Sequence, residues 1–424
     1  MTPPAPVDLA VLVNGFPRLS ETFVLRELLD LERRGVRLIV FALSDPGEVV
    51  HQEALGELQA QVEYVPESVA ISRLRVALAH LALGRNAGSD YLTGLAAVVR
   101  SPDWTRGAMR RAAVLAQRLV ELGSPPLYIQ FAHKPGTIGR FAARLGGVRY
   151  AMSCHAKDIW STPPEELGPK LRDAELVLTC TAAGREELER YAGPTPVRLV
   201  YHGVDVDAVV ARVLAPGPPR VLAVGRLVEK KGHDTLIRAA GLLRDQGVEF
   251  ALRIAGDGPE WPRLQRLVHE LDLAGHVTFL GPLKTAEVQR EYASASVFAL
   301  GCRQLANGDR DGLPNVLLEA MVQGLPVVGT TLAGIAEAVE HERSSLLAAP
   351  DDAAALADAL RRVLKDPELA RELGAIGQAT ARERFDYRQL LPTVSHELAE
   401  AGMIPGRPPA RPPREGAMAT LEPA

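Results

Sequence analysis

Arg226, Lys231, Asp311 and Glu319 are the side chains of this chain best suited to chemistry. Asp311 and Glu319 have seven residues between them, in Asp311-Gly-Leu-Pro-Asn-Val-Leu-Leu-Glu319. Pro314 suits a first helical position, where its missing N–H costs nothing. Asp311 then precedes a helix and Glu319 lies one to two turns inside it, at about 3.6 residues per turn. The N–H groups and the positive dipole end of that helix face the same space as the two acids. Such a corner can hold oxyanions on N–H groups and hydroxyls on carboxylates; the plainer alternative is a surface helix with a capping Asp. Arg226 and Lys231 stand in the polar loop of Val221-Leu-Ala-Val-Gly-Arg-Leu-Val-Glu-Lys-Lys-Gly. Beyond the carboxyl end of a strand they suit a diphosphate, Arg as a bidentate fork and Lys as a point charge. The plainer alternative there is a solvated basic loop.

These residues need a scaffold, and apolar runs alternating with helical stretches supply one. Val7–Val13, Val36–Leu43, Leu127–Ala132, Val148–Cys154, Leu176–Thr179 and Val197–Tyr201 read as strands of a first unit. Ser20-Glu-Thr opens a helix with Val24, Leu28 and Leu31 on one face. The pattern restarts after the linker Ala215-Pro-Gly-Pro-Pro, with strands at Val221–Val224, Phe250–Ala255, Val277–Leu280, Val297–Leu300 and Pro326–Gly329. Apolar strands alternating with helices predict parallel sheets covered on both faces. The expectation is an α/β chain of two similar doubly wound, Rossmann-like domains, residues 1–212 and 218–385, facing a central cleft. The chemistry belongs in the loops beyond the carboxyl ends of the strands. The tail, residues 404–424, is rich in Pro, Arg, Gly and Ala and is expected to be disordered.

Composition bounds the class. A chain with 47% hydrophobic and 24% charged residues is ordinary for a soluble globular protein, and a net charge of −4 gives no reason to expect nucleic-acid binding. Cys154, Cys180 and Cys302 are widely spaced and form no C-x-x-C pair, so they read as buried free thiols in a reducing compartment. No basic-then-apolar leader opens the sequence, and no window approaches the ~20 apolar residues of a membrane span. Cytoplasm is the expected location. One region stands apart: between Val69 and Val120, eight Arg (73, 75, 85, 100, 106, 110, 111 and 118) face only Asp90 and Asp103, a local charge of +6. Interleaved with Leu, Ala and Val, they read either as a peripheral contact with anionic membrane or as helices whose Arg stems cover apolar surface.

Gly225-Arg-Leu-Val-Glu-Lys-Lys-Gly together with Asp311-x7-Glu319 resembles the retaining glycosyltransferases of family 4, which adopt the two-domain GT-B fold. His155-Ala-Lys-Asp, Tyr201-His-Gly-Val-Asp205, Gly256-Asp-Gly-Pro-Glu and Phe279-Leu-Gly-Pro-Leu extend the resemblance from about Val7 to about residue 400. Phe16-Pro-Arg-Leu-Ser-Glu-Thr-Phe and Asn307-Gly-Asp-Arg-Asp-Gly-Leu-Pro-Asn are similar to the exopolysaccharide branch, the colanic-acid-type enzymes. The resemblance implies a nucleotide-diphosphate sugar as donor and a glycan or polyprenyl-diphosphate-linked glycan as acceptor, docked on the first domain. It implies no metal and no other cofactor, and a helix near 386–403 that packs back onto the first domain.

Residue by residue, it implies that Arg226 and Lys231 bind the donor diphosphate and stabilise its charge as the sugar leaves. Glu319 accepts hydrogen bonds from the ribose hydroxyls. Asp311, where relatives usually have Glu, lies beside the donor sugar, and His155 projects to that sugar from the first domain. Gly15 takes the place of a glycine-rich loop where backbone approaches phosphate, although Asn14-Gly-Phe-Pro has one glycine where many relatives have two. Pro314 replaces a second glycine and has no N–H, so Leu313 and Asn315 must supply those donors. Attack on the donor's front face is the usual proposal for the family, since no carboxylate is an evident nucleophile of the glycosidase kind; the protein then positions substrates and stabilises departing charge.

His133 and His202 are further cleft-lining candidates. Asp205-Val-Asp207 looks like the acid-x-acid metal pair of the other glycosyltransferase fold but belongs to the His-Gly-Val-Asp match. Rival readings on the same fold are a phosphorolytic or epimerising enzyme and a catalytically silent sugar-nucleotide-binding scaffold. A nicotinamide-dependent oxidoreductase is disfavoured, because no G-x-G-x-x-G follows either domain's first strand.

Overall fold

The computed structural model describes residues 6–18, 21–47, 53–213 and 216–406. Ser20, Ala215 and the tail from residue 407 onward, which enter the predicted helix start, linker and disordered end, lie outside the described residues. The first domain contains β1 (Leu9–Val13), β2 (Leu38–Ala42), β3 (Gln61–Tyr64), β4 (Leu127–Gln130), β5 (Tyr150–Cys154), β6 (Leu176–Thr179) and β7 (Val197–Leu199). The second contains β8 (Arg220–Val224), β9 (Ala251–Ala255), β10 (Val277–Gly281), β11 (Val297–Ala299), β12 (Val327–Thr330) and β13 (Ser345–Ala348). Their orders are β3-β2-β1-β4-β5-β6-β7 and β10-β9-β8-β11-β12-β13, with every pairing parallel.

The apolar strands are continuous because both faces are covered. Along β1, Leu9, Val11 and Val13 pack with Val24, Leu25 and Leu28 of the helix Thr22–Arg33, while Ala10 and Leu12 pack with Ile138 and Phe141 on the other side. Alternation along a strand sends neighbours to opposite faces, so a strand buried on both sides must be apolar at every position. In β8, Val221 and Ala223 face one cluster, and Leu222 and Val224 the other.

Two strands, β3 and β13, escaped the sequence pattern. Both are four-residue edge strands. An edge strand needs less apolar cover, and β3, Gln-Val-Glu-Tyr, is partly or fully exposed at every position.

After the second sheet the chain returns to the first domain. The helix Tyr387–Glu400 lays Val394 and Leu398 among Leu9 and Val11. Arg198 pairs with Glu397 at 3.3 Å, and Arg149 donates to the Gly402 carbonyl at 2.8 Å.

The arginine-rich region folds into the helices Arg73–Val99 and Arg106–Glu121, capped by Ser72 and Thr105. Its arginines are not one uniform surface. Arg111 is buried and donates to the carbonyls of Leu43 and Val65; Arg110 donates to Ser68, and Arg118 is ion-paired with Glu63 at 2.7 Å. Among the described residues no helix is long and apolar enough to cross a membrane.

Candidate active site

In each sheet the winding reverses beside its first strand, between β1 and β4 and between β8 and β11. Loops that leave neighbouring strands in opposite directions open a crevice at that point. The loops after β1, β4 and β5 carry Gly15, His133 and His155, and those after β8 and β11 carry Arg226, Lys231 and Asp311.

On the second domain, two glycines bring the chemistry together. Gly232, at φ 62°, lies against Gly301, and a Cβ on Gly232 would stand 1.7 Å from the Gly301 carbonyl oxygen. Any side chain there would hold the lysine turn away from the loop that ends in Asp311. With glycine at both positions, Lys231 Nζ reaches Asp311 Oδ2 at 2.6 Å, and Lys230 Nζ lies 2.9 Å from Asp309 and 3.6 Å from Asp311. Cys302 Sγ lies 3.6 Å from Asp311 Oδ2. Burial opposes the Asp311 charge, but Lys231 and Lys230 outweigh it and hold the carboxyl below its usual range. The same pairing overcomes burial at Lys231 and raises its pKa. Arg226 is exposed and makes no ion pair with the described residues. The shorter acid at position 311 is therefore engaged by the lysines.

Glu319 sits in the helix Asn315–Val322, so Pro314 stands one position before the helix rather than inside it. The Tyr292 hydroxyl donates to Glu319 at 3.1 Å, and burial raises the Glu319 pKa. Leu313 is buried, and the Asn315 side-chain oxygen is buried with no hydrogen-bond partner.

On the first domain, Asp158 anchors the loops. It is wholly buried, accepts from the His155 backbone N–H at 3.0 Å and from the His133 N–H at 3.1 Å, and lies 2.6 Å from His133 Nδ1. His155 itself is packed among Phe23, Phe131 and His202. Its Nε2 lies 3.3 Å from Ser153 Oγ and 3.5 Å from Gln130 Oε1, and its Nδ1 is 3.9 Å from Cys180 Sγ. Gln130 donates its amide N–H to Glu27 at 2.8 Å, which turns the amide oxygen toward His155. Burial, helped by His133, lowers the His155 pKa to about 4, so the imidazole is neutral near neutral pH. His202 stacks on Phe23 with ring centroids 3.9 Å apart, and burial depresses its pKa as well. Donor atoms of His155, Cys180 and His202 lie within 4.8 Å of one another. All three cysteines are free and buried. Asp205 and Asp207 are both paired with Arg388, at 2.7 and 3.1 Å.

The two walls meet at Gly312. A Cβ there would touch Thr181, Ala156 and Cys180 at 3.5, 3.6 and 3.9 Å, so the backbone beside Asp311 lies against the residues beside His155. Glu337 ties the domains further, accepting from the N–H groups of Ala182 and Ala183 at 2.7 and 3.0 Å and from the Tyr201 hydroxyl at 3.1 Å. The Arg310 guanidinium lies 4.0 Å above the Trp160 ring across the same junction. Gly15 packs within its own domain, against Arg18 and Ser44. Sequence reasoning missed Glu337, Gln130, Glu27 and Tyr292, and read Cys180 as a buried thiol without placing it beside His155; only Lys230, adjacent to Lys231 in the same motif, carried a local signal.

Two doubly wound domains joined face to face, with a cationic loop opposite a buried histidine, define the GT-B class of sugar-transferring fold. Comparison with known proteins makes the family explicit. The family described as Glycosyltransferase Family 4 matches residues 20–208, and Glycosyl transferases group 1 matches residues 218–366. A GDP-mannose-dependent alpha-(1-6)-phosphatidylinositol monomannoside mannosyltransferase of Mycobacterium tuberculosis is 38% identical over 277 residues, 61% of this chain and 70% of the relative. WcaL of Escherichia coli (strain K12), provisionally named a colanic acid biosynthesis glycosyltransferase, is 29% identical over 91% of this chain and 96% of its own. In three dimensions, HepE of Anabaena, solved with UDP and glucose, matches with a TM-score of 0.70 at 19% identity, covering 93% of this chain and 99% of its own. The chain belongs to glycosyltransferase family 4.

Proposed function

We propose that this glycosyltransferase is retaining and metal-independent, and moves a sugar from a nucleotide-diphosphate donor to a glycan or polyprenyl-diphosphate-linked glycan. Its place is exopolysaccharide or other cell-surface polysaccharide synthesis, at the cytoplasmic face of the membrane. The observation that carries the reading is the cationic loop after β8: Lys231, largely buried and ion-paired, beside Arg226, which has no acidic partner among the described residues. Together they supply the countercharge a departing diphosphate needs. Glu319, with one oxygen engaged by Tyr292, is suited to accept from ribose hydroxyls through the other. His155 and the backbone beside Asp311 face the sugar between them, and Leu313, Asn315 and Gly15 offer backbone toward the phosphates. The names of the mycobacterial and enterobacterial relatives support the acceptor class.

Retention by front-face attack is favoured by how the cleft acids are used. Asp158 holds two backbone N–H groups, Asp311 holds two lysines, and Glu337 holds a helix start. Each has a structural engagement that a covalent nucleophile would have to abandon. Transfer assayed with EDTA present, with the product anomer read by NMR, tests the proposal. A product with the donor's own anomeric configuration is expected; an inverted product, or activity that needs an added divalent ion, overturns it. Arg226→Ala should abolish the thermal stabilisation given by the correct nucleotide sugar.

A further inference from the structure

We propose that the solvent-facing leucine stripe of the helix Arg73–Val99 is the surface by which this protein seats on an anionic lipid bilayer. The inference rests on the reading that the acceptor is membrane-borne, and it assigns docking to a different set of side chains from the arginine cluster as a whole.

The helix is apolar on two opposite faces. Ala79, Leu83, Tyr91 and Val98 are buried in the first core. On the other side, Leu74, Leu78, Leu81, Leu92 and Val99 are 69, 55, 52, 64 and 54% exposed. At about 100° per residue these five fall within an arc of roughly 60°, and with a rise of about 1.5 Å per residue they form a line ~37 Å long. Arg85 lies in the same arc. Val69, 85% exposed, and Trp104, 37% exposed, extend the apolar surface at its two ends. Single exposed apolar side chains on a soluble protein need no explanation, but four leucines and a valine on one line are an unpartnered face.

Charge decides what covers it. Arg73, Arg75, Arg85, Arg100 and Arg106 are exposed along the stripe and at its ends, against Asp90 and Glu67. The other three arginines of the region are taken up by the carbonyl and carboxylate contacts already described. A second copy of this chain, paired face to face, would set one net-positive surface against another. Anionic headgroups around an acyl interior complement both the leucines and the charge.

The stripe also points the acceptor the right way. Arg75 and Leu78 form one side of a groove of about 250 Å³ whose other walls include Phe41, Tyr64, Val65 and Arg118. The Tyr64 hydroxyl donates to the Phe16 carbonyl at 3.1 Å, in the loop after β1 that contains Gly15. A lipid-linked substrate rising from the bilayer at Leu78 is thus delivered next to the catalytic cleft.

The test is vesicle flotation of the full chain with phosphatidylcholine alone and with added phosphatidylglycerol. The wild type should float with the anionic vesicles. Leu74→Ser/Leu81→Ser/Leu92→Ser, all at exposed positions, should lower partitioning about tenfold or more at any salt concentration. Arg73→Glu/Arg85→Glu should weaken it chiefly at low salt, where exposed charges are least screened. Unchanged thermal melting and unchanged transfer to a soluble acceptor would show that the variants keep fold and site. Flotation of the serine variant equal to wild type overturns the proposal, as does a wild type that stays free of anionic vesicles. Sedimentation showing a dimer that the serine substitutions dissolve would give the stripe to a second copy instead, and also overturns it. Flotation without transfer from any nucleotide sugar would leave docking intact and remove the enzymatic reading.

Discussion

Lys231→Met and Asp311→Asn separate the stability of the cleft from its chemistry. The two side chains are 13% exposed each and 2.6 Å apart. Removing one member of a buried pair costs about 3–5 kcal/mol, because the survivor is left charged and poorly solvated. In Lys231→Met the surviving Asp311 still has Lys230 at 3.6 Å, which places the cost near the lower end, about 3 kcal/mol. For a domain the size of residues 218–385, that corresponds to a fall of roughly 6–12 °C in melting temperature. Asp311→Asn leaves Lys231 without that partner and should cost a similar amount. The double variant removes both charges and should recover most of the loss, since deleting a whole buried pair is often nearly neutral. The rate behaves differently. Without Lys231 the leaving diphosphate loses a charge-assisted donor, a loss of about 10²–10³ in turnover, and the double variant cannot regain it. Thermal melts and initial rates on the four proteins complete the cycle. A double variant as unstable as the single ones would refute the coupling; a stable double variant with near-wild-type turnover would refute the assignment of Lys231 to the diphosphate.

Two further outcomes follow from the buried groups around His155. Burial raises the Glu27 pKa from 4.5 to about 7, against the hydrogen bonds from Gln130 and Tyr128. The folded chain therefore holds that proton more tightly than the unfolded one, so the contribution is fully present below 4.5 and is lost as pH rises through about 7. The loss is of order 3 kcal/mol, and Glu27→Gln should abolish it. His155 and His233, both depressed to about 4, add the opposite slope as pH rises toward 6.5, but they do so in both proteins and cancel in the difference. A melting-temperature difference between wild type and Glu27→Gln that stays flat from about pH 5 to about pH 8 would count against the buried carboxyl. Chelation should leave transfer unchanged, whereas added Zn²⁺ should inhibit through His155, Cys180 and His202, two imidazoles and a thiol already grouped around the cleft. Cys180→Ser should relieve that inhibition; equal zinc sensitivity in the two proteins would exclude this cluster as its cause.

The parts of the structure legible in the sequence are those whose cause is local. Continuous apolar runs such as Leu9–Val13 and Val221–Val224 declare strands buried on both faces, and Gly35 and Gly232 adopt the positive φ that ends or begins a neighbouring element. The arginine region shows where local reading stops. Arg111 and Arg100 are indistinguishable in a list of charges, yet one is buried among carbonyls of Leu43 and Val65 and the other is exposed. Only the tertiary fold decides which guanidinium finds a carbonyl, because the partners lie 68 and 46 residues away. The same holds for Glu337, whose backbone partners are 155 and 154 residues distant, and for Gln130, which matters through Glu27 and His155. Conversely, the exposed face of Arg73–Val99 has a helical period that a charge count obscures, since apolar residues on both faces hide its amphipathic character.

The walls of the cleft differ in charge, and that difference bears on how the proposed transfer proceeds. On the second domain, Arg226, Lys230 and Lys231 outnumber Asp309 and Asp311, so a diphosphate is drawn to that wall. On the first domain, His155 and His202 are both kept neutral by burial, against the opposing pull of Asp158 at His155. A glycosyl group acquires positive charge as its bond to the leaving phosphate lengthens. In the proposed complex an imidazolium at position 155 would oppose that charge, whereas a neutral imidazole does not repel it. With the His155 pKa at about 4, this holds near neutral pH. Burial among Phe23, Phe131 and His202 thus serves the proposed reaction by keeping a proton off His155, against the opposing pull of Asp158.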